Sequence, residues 1–325
     1  MRVFVTGIDG FVGSHMAELL HSIGGVDVYG TIVTPEPGPN LKGINAKPRL
    51  RQADILSASR IEELFTDIRP ERVIHLAGQA FVPTSVIDPV GTIQTNIAGS
   101  MSVLEAARKL REREGLEVQV LIISSSEVYG KVAPELLPIR EDLALNPGNP
   151  YAASKASIDL ISQAYRKTYG LHVTVARPFN HVGPRQAPSF VCSEFGRRFA
   201  EFAAGVSPPV LHPGNLEARR DFTDVRDVVR AYWSMLEHPS DYSVFNVCSG
   251  TAVSIREIIS LYEEITGITV DVAVEQAKVR PYDVPVLLGS AERLHEETGW
   301  TRTFTLRETL KDVFTHWQQT LAAGA

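Results

Sequence analysis

Tyr151 and Lys155 stand four positions apart in Asn149-Pro150-Tyr151-Ala152-Ala153-Ser154-Lys155, a spacing that sets a phenol and an ammonium on one face of a helix. Pro150 suits the first position of that helix. A free phenol titrates near about 10, and a nearby cation stabilises the phenolate and lowers that value. The pair is therefore suited to general acid or base work near neutrality. Upstream, the run Val118 to Ile123 ends in Ser124-Ser125-Ser126-Glu127-Val128-Tyr129-Gly130. Serines are common in turns, but hydroxyls at the carboxyl end of a parallel strand lie where such sheets bind ligands. With the tyrosine helix following, Ser125 becomes the candidate partner for a substrate oxygen.

Such side chains need a scaffold that brings several strand ends to one edge. Arg2-Val3-Phe4-Val5-Thr6 reads as a buried strand, followed by Gly7-Ile8-Asp9-Gly10-Phe11-Val12-Gly13 and a helical pattern carried by Met16, Ala17, Leu19 and Leu20. Glycines between a strand and a helix let backbone N–H groups approach a pyrophosphate at the helix N-terminus. The spacing is G-x-x-G-x-x-G, one residue off the more familiar G-x-G-x-x-G, and predicts cofactor contacts from Gly7, Gly10, Phe11, Val12 and Gly13.

Val26 to Val33 is a second strand whose end carries no acid to meet a ribose hydroxyl and no arginine either, which favours NADP(H) over NAD(H). Pro35 to Pro48 reads as a loop. Leu50 to Ile55 is a third strand, with Asp54 and Ile55 placed to meet the cofactor's adenine end. Ile61, Leu64, Phe65 and Ile68 mark an amphipathic helix. Arg72 to Ala77 is a fourth strand, opening into Leu76-Ala77-Gly78, where Gly78 permits close backbone approach. A long helix over Thr92 to Arg113 carries Asn96 near its start, and a strand over Val173 to Ala176 runs into Arg177-Pro178. This alternation predicts an α/β, doubly wound parallel (Rossmann) sheet with right-handed crossovers.

The bulk composition narrows the partners. The chain has 325 residues and a net charge of −6, which argues against nucleic acid or an anionic membrane. The two cysteines, Cys192 and Cys248, show no metal-ligand or redox spacing, which suits a reducing compartment. No apolar run approaches the roughly 18 residues of a membrane span, and no signal peptide is apparent. The expectation is a soluble, cytoplasmic protein without a metal.

From about residue 180 the rhythm changes to longer loops, more prolines and clustered arginines. Phe195 to Ala204, Val225 to Leu236 and Ile255 to Ile265 read as helices, Pro208 to Leu211 and Val244 to Val247 as strands. Two further helices close the chain around Ala291–Thr298 and Leu306–Leu321. Residues 1–178 are expected to form the dinucleotide-binding domain, rejoined by about 222–248, and 179–325 mainly a smaller C-terminal α/β domain.

Taken in order, the Gly7-x-x-Gly10-x-x-Gly13 turn, the serine cluster and Tyr151-x-x-x-Lys155 resemble the extended short-chain dehydrogenase/reductase family of nucleotide-sugar enzymes, nearly end to end. The resemblance implies that the C-terminal domain binds substrate and that Ser125, Tyr151 and Lys155 are catalytic. It implies that Tyr151, Lys155, Leu76, Ala77 and Pro178 also contact a nicotinamide cofactor. Later stretches, among them Arg177 through Pro184, Gly214 through Asp227, Asn246 through Gly250 and Arg280 through Gly289, look most like the members that reduce the C4 ketone of a GDP-linked 4-keto-6-deoxy sugar. For such a substrate, Ser125, Ser126, Asn180, Asn215, Arg220, Arg280 and Asp283 are the implied contacts, the arginines serving the diphosphate. Glu127 also fits the family's 4,6-dehydratases, whose glutamate at that place protonates a departing hydroxyl, and 4-epimerisation is a third possibility. Pairing of the Thr92–Arg113 and Pro150–Tyr169 helices in relatives implies a homodimer.

Overall fold

The computed structural model describes residues 1–278 and 284–324. Thirteen strands appear among the described residues: β1 Arg2–Thr6, β2 Asp27–Ile32, β3 Arg49–Gln52, β4 Arg72–His75, β5 Gln119–Ile123, β6 His172–Pro178, β7 Asn180–Val182, β8 Val210–Leu211, β9 Arg219–Asp224, β10 Val244–Val247, β11 Ala252–Ser254, β12 Asp271–Val272 and β13 Val286–Leu287. The helices are α1 Phe11–Ile23, α2 Ala58–Ile68, α3 Val82–Ile87, α4 Pro89–Ile93, α5 Gly99–Glu114, α6 Pro150–Tyr169, α7 Val191–Ala203, α8 Val225–Glu237, α9 Ile255–Thr266, α10 Glu292–Thr298 and α11 Leu306–Gly324. Between α4 and α5 the chain does not leave the helix but widens into a π turn, Gln94–Ala98.

Seven strands form one all-parallel sheet in the order β10-β6-β5-β4-β1-β2-β3. The order reverses between β1 and β4, the place where open α/β sheets leave a crevice beyond their carboxyl ends. Successive side chains alternate between the two faces. Val3 and Val5 join Met16, Leu20, Val228, Tyr232 and Phe245 on one side, while Phe4 joins Leu64, Phe65, Leu104 and Ile158 on the other. Where both faces are covered, as at β1 and β5, the strands are near-continuous apolar runs rather than alternating, while the edge strand β3 is mostly exposed. The sequence-derived sheet is the observed one, including the return of Val244–Val247 beside β6.

Boundaries differ in instructive ways. β3 stops at Gln52, so Asp54 and Ile55 sit in the following loop. The fourth strand likewise stops at His75, before Leu76-Ala77-Gly78. Arg219–Asp224, too charged to read as a strand, is one: it pairs with β7, β11 and β13 and buries Asp221 to Asp224. Beneath it, α7, α9 and α11 enclose a separate cluster that includes Phe195, Phe199, Tyr262 and Val313.

Candidate active site

The glycine turn is fixed by packing that only glycine allows. Gly7 has φ of 67°, and a Cβ there would lie 3.0 Å from the Ala77 Cα. A Cβ on Gly13 would lie 2.3 Å from the Gly7 carbonyl oxygen, so α1 starts hard against the turn. Thr31 on β2 braces the same turn, its hydroxyl accepting from Gly7 N at 3.2 Å and its carbonyl from Ile8 N at 3.3 Å. On the other side, the Thr6 hydroxyl links the buried His75 imidazole at 2.7 Å to Ala77 N at 3.1 Å, and the far side of that ring meets the Ser100 hydroxyl at 2.9 Å. Burial, aided by the Lys155 charge, draws His75 down to about 3, so the ring is neutral.

Between these braces lies a cleft of about 300 Å³ lined by Gly7, Asp9, Thr31, Asp54, Ile55 and Gly78 among others. A backbone cradle that side chains would fill, at the N-terminus of a helix, fits the pyrophosphate and adenosine of a dinucleotide. Ala77 and Gly78 form its wall, and the Asp54 carboxylate accepts from Leu56 N at 2.9 Å within its own turn. Leu76 packs against the same apolar cluster as Val5 and Ile74. Phe11, at the start of α1, stacks on His181 with ring centroids 5.9 Å apart, and Val12 packs into the core beneath it.

Asn96 occupies the π turn, and the extra residue in that turn directs it into the sheet edge. Its Oδ1 accepts from Gln79 N at 2.8 Å, and its Nδ2 donates to Gln79 O at 3.0 Å and to the Ser154 hydroxyl at 2.9 Å. These bonds are all internal, so the side chain ties the Gly78 loop to the helix that bears Tyr151 and Lys155.

That helix, α6, has Pro150 in its first turn and Asn149 as its cap, whose Oδ1 accepts from Ala152 N at 2.8 Å. Ser124 and Ser125 follow β5. The Ser124 hydroxyl donates to Lys155 O at 3.3 Å, and Ser125 caps a short helical turn by accepting from Glu127 N at 3.1 Å. The Tyr151 phenol is buried and within hydrogen-bond reach of Ser125. Ser126 is buried behind it, and Pro178 ends β6 opposite Val247.

One expectation is overturned. Lys155 does not lower the phenol. Burial pushes Tyr151 up to about 12, the Ser125 bond works against that rise, and the Glu127 carboxylate adds to it. The Lys155 ammonium donates to the Ile123 carbonyl at 2.8 Å instead, and burial draws it down to about 8. Glu127 itself receives the Asn149 side-chain amide at 3.4 Å.

The residues expected to meet substrate are less gathered. Asn180 lies on β7, paired with Phe222. Arg220 on β9 donates to the carbonyls of Arg219 and Val284 at 2.9 and 2.6 Å, and Asn215 accepts from Glu217 N at 3.0 Å, each with a further partner. Arg280 and Asp283 lie outside the described residues. Asp9, Thr31 and Thr95 line the cleft without having been singled out from sequence. For Asp9 the available signal was a polar residue within the glycine run, and for Thr31 a hydroxyl in the second strand. For Thr95 there was none, because nothing in the sequence announces a π turn.

A family model described as GDP-mannose 4,6 dehydratase matches residues 4–313. The chain belongs to the GDP-mannose 4,6-dehydratase family. Within reach of this family, GDP-6-deoxy-D-mannose reductase of Pseudomonas aeruginosa is 36% identical, covering 98% of this chain and 97% of the relative. The structure of RMD from Pseudomonas aeruginosa complexed with NADPH superimposes with a TM-score of 0.83 at 35% identity, over 98% of this chain and 99% of that one. Thermus thermophilus UDP-glucose 4-epimerase in complex with NAD gives 0.84 at 30% identity, over 98% and 99%. As a member of the GDP-mannose 4,6-dehydratase family, the chain is an NAD(P)H-dependent oxidoreductase with a Rossmann fold. Among the described residues no helix is long and apolar enough to cross a membrane, and no group of three or more His, Cys, Asp and Glu could hold a metal ion.

Proposed function

We propose that this protein reduces the C4 ketone of GDP-4-keto-6-deoxy-D-mannose to give GDP-D-rhamnose. The observation that carries the reading is the Tyr151 phenol, buried beside Ser125 and held protonated at neutral pH. A reduction needs an acid in that state, because the alkoxide forming at C4 must take a proton. Ser125 and Tyr151 together offer two hydroxyls to one carbonyl oxygen, polarising it and fixing its position.

The Gly7 to Gly13 turn and the Gly78 loop would hold the cofactor, with Lys155 near its nicotinamide end. When bound, the reduced nicotinamide supplies the hydride. Lys155 shares the face of α6 with Tyr151, and a positive charge there opposes the negative charge left on the phenol after proton transfer. Arg220, Arg280, Asn180, Asn215 and Asp283 are assigned to the diphosphate and sugar, as is Ser126. The expectation of NADP(H) over NAD(H) rests on the end of β2 alone, where Val33 is exposed, and the Asp9 carboxylate in the same cleft weighs against it.

Purified protein given GDP-4-keto-6-deoxy-D-mannose and NADPH or NADH should consume the cofactor's near-ultraviolet absorbance in step with a reduced sugar. No consumption, with conversion of GDP-mannose to the ketosugar, would overturn the reductase reading. It would favour dehydration, which has one specific support here: Glu127 is close enough to Tyr151 to raise its pKa.

The protein is proposed to be a cytoplasmic homodimer. Ile93 and Met101 within Thr92–Arg113 and Leu160 on α6 are exposed apolar side chains on the helices expected to pair, and the exposed Val86 and Val90 lie just upstream. Leu160→Asp together with Val90→Asp should halve the mass measured by sedimentation. An unchanged mass would place the interface elsewhere.

A further inference from the structure

We infer that Asp9, at the apex of the glycine turn, selects the adenosine half of the cofactor and makes NAD(H) the preferred form over NADP(H). The inference rests on the cleft being a dinucleotide site and goes beyond that reading to which dinucleotide it takes.

In many folds of this kind an acid at the end of the second strand accepts from the ribose 2′-hydroxyl. Here that strand end carries Val33. The folded chain supplies a carboxylate from the other wall of the same cleft, where both Asp9 and Val33 are lining residues. Ile8 sets its direction. A Cβ on Gly30 would lie 2.3 Å from Ile8 Cγ2, so only a glycine in β2 lets Ile8 seat there, which turns Asp9 toward the loop beyond β2. Asp9 Oδ2 then accepts from Gly38 N at 3.0 Å. Among the described residues Oδ1 has no hydrogen-bond partner and can accept from a ribose hydroxyl.

The charges around the cleft point the same way. Asp9 and Asp54 line it, and among the described residues no lysine or arginine does. The nearest strand that could send a cation, β3, keeps its arginines elsewhere. Arg49 donates to the Tyr29 hydroxyl at 2.6 Å and pairs with Asp27 at 2.9 Å. Arg51 lies 5.7 Å from the Tyr29 ring centroid and donates to Leu50 O at 3.0 Å. A 2′-phosphate brings a charge of roughly −1.5 to −2 at neutral pH and needs a cation to hold it. Beside Asp9 it would meet a like charge, whereas a 2′-hydroxyl would meet an acceptor.

The test is direct binding of NADH and NADPH to the protein without sugar, followed by calorimetry. Wild-type protein should bind NADH at least about tenfold more tightly than NADPH. Asp9→Asn keeps an oxygen for Gly38 N while removing the charge. It should shrink the ratio by about tenfold, chiefly through tighter NADPH, and the wild-type ratio should shrink with added salt as like-charge repulsion is screened. Equal affinities in the wild type, or a ratio unmoved by Asp9→Asn, would overturn the role of Asp9 while leaving the cleft a dinucleotide site. So would an equal weakening of both ligands, which would make Asp9 only an anchor for the Gly38 turn. Binding of neither dinucleotide would overturn the reading of the cleft and this inference with it.

Discussion

The two ends of the active cleft are built by different means. At the cofactor end, the groups that shape the site are backbone atoms at the ends of β1, β2 and β4, locked by glycines and by the Thr6–His75–Ser100 chain. At the proposed sugar end, the groups assigned are long side chains on β9 and the loops around it, and Arg220 already donates one guanidinium nitrogen to two backbone carbonyls. On the proposed reading, Tyr151 stands where the two meet. A site made of backbone is tuned by whatever can be packed beside it. A site made of arginines is tuned by which charges they face. The first should therefore respond to changes in shape and the second to changes in charge.

The sharpest break in that comparison is at the junction. Tyr151→Phe should cut turnover by roughly 10²–10⁴-fold, with folding and cofactor affinity little changed. Near-wild-type turnover would remove Tyr151 from the chemistry.

At the sugar end, Arg280→Ala should raise the KM for the nucleotide sugar by about 10–100-fold, the worth of one or two charge-assisted bonds to a diphosphate, and leave the KM for cofactor alone. Equal effects on both would erase the proposed division of labour.

At the cofactor end, Gly13→Ala introduces a methyl 2.3 Å from the Gly7 oxygen. A loss of about 1–3 kcal/mol in denaturant unfolding is expected, with weaker dinucleotide binding and an unaltered sugar KM in whatever activity survives.

A further expected effect concerns pH. His75 and His15 are buried, and burial draws them down to about 3 and about 4. The unfolded chain takes up their protons first, near its ordinary value of about 6.5, so stability is full above that value and falls as pH drops toward their folded values. At pH 5 the two should each cost about 2 kcal/mol relative to pH 7.5, read from urea midpoints. His75→Asn should flatten the slope even as it lowers stability at neutral pH, and an unflattened slope would assign the acid sensitivity to other groups.

What could be read from the sequence was local. The glycine turn, the capped helix with Tyr151 and Lys155 on one face, and the apolar strands are each encoded within a few consecutive residues, and they fold as read. The departures are tertiary. Lys155 has the spacing to serve Tyr151, but the Ile123 carbonyl on another strand claims its ammonium. The phenol's rise comes from the side chains that bury it. Arg219–Asp224 drew no reading as a strand, because a run of arginines and aspartates carries no apolar pattern. Asp221 is fully buried and accepts from Ser249 N, the Ser249 hydroxyl and Gly250 N at 2.6 to 2.9 Å. Asp9 was visible in the sequence, but its direction depends on Ile8 seating against Gly30, which spacing does not show.

The π turn at Gln94–Ala98 makes the length of this helix a functional quantity. An α-helix advances about 100° per residue, so deleting one residue upstream, between Pro89 and Thr95, would let the turn relax to ordinary pitch at a stroke. Asn96 would then swing about a quarter of a circle off the Gln79 backbone and the Ser154 hydroxyl, and the Gly78 wall would part from the helix that carries the acid. The one-residue surplus is thus a spacer that sets the register of this edge of the cleft.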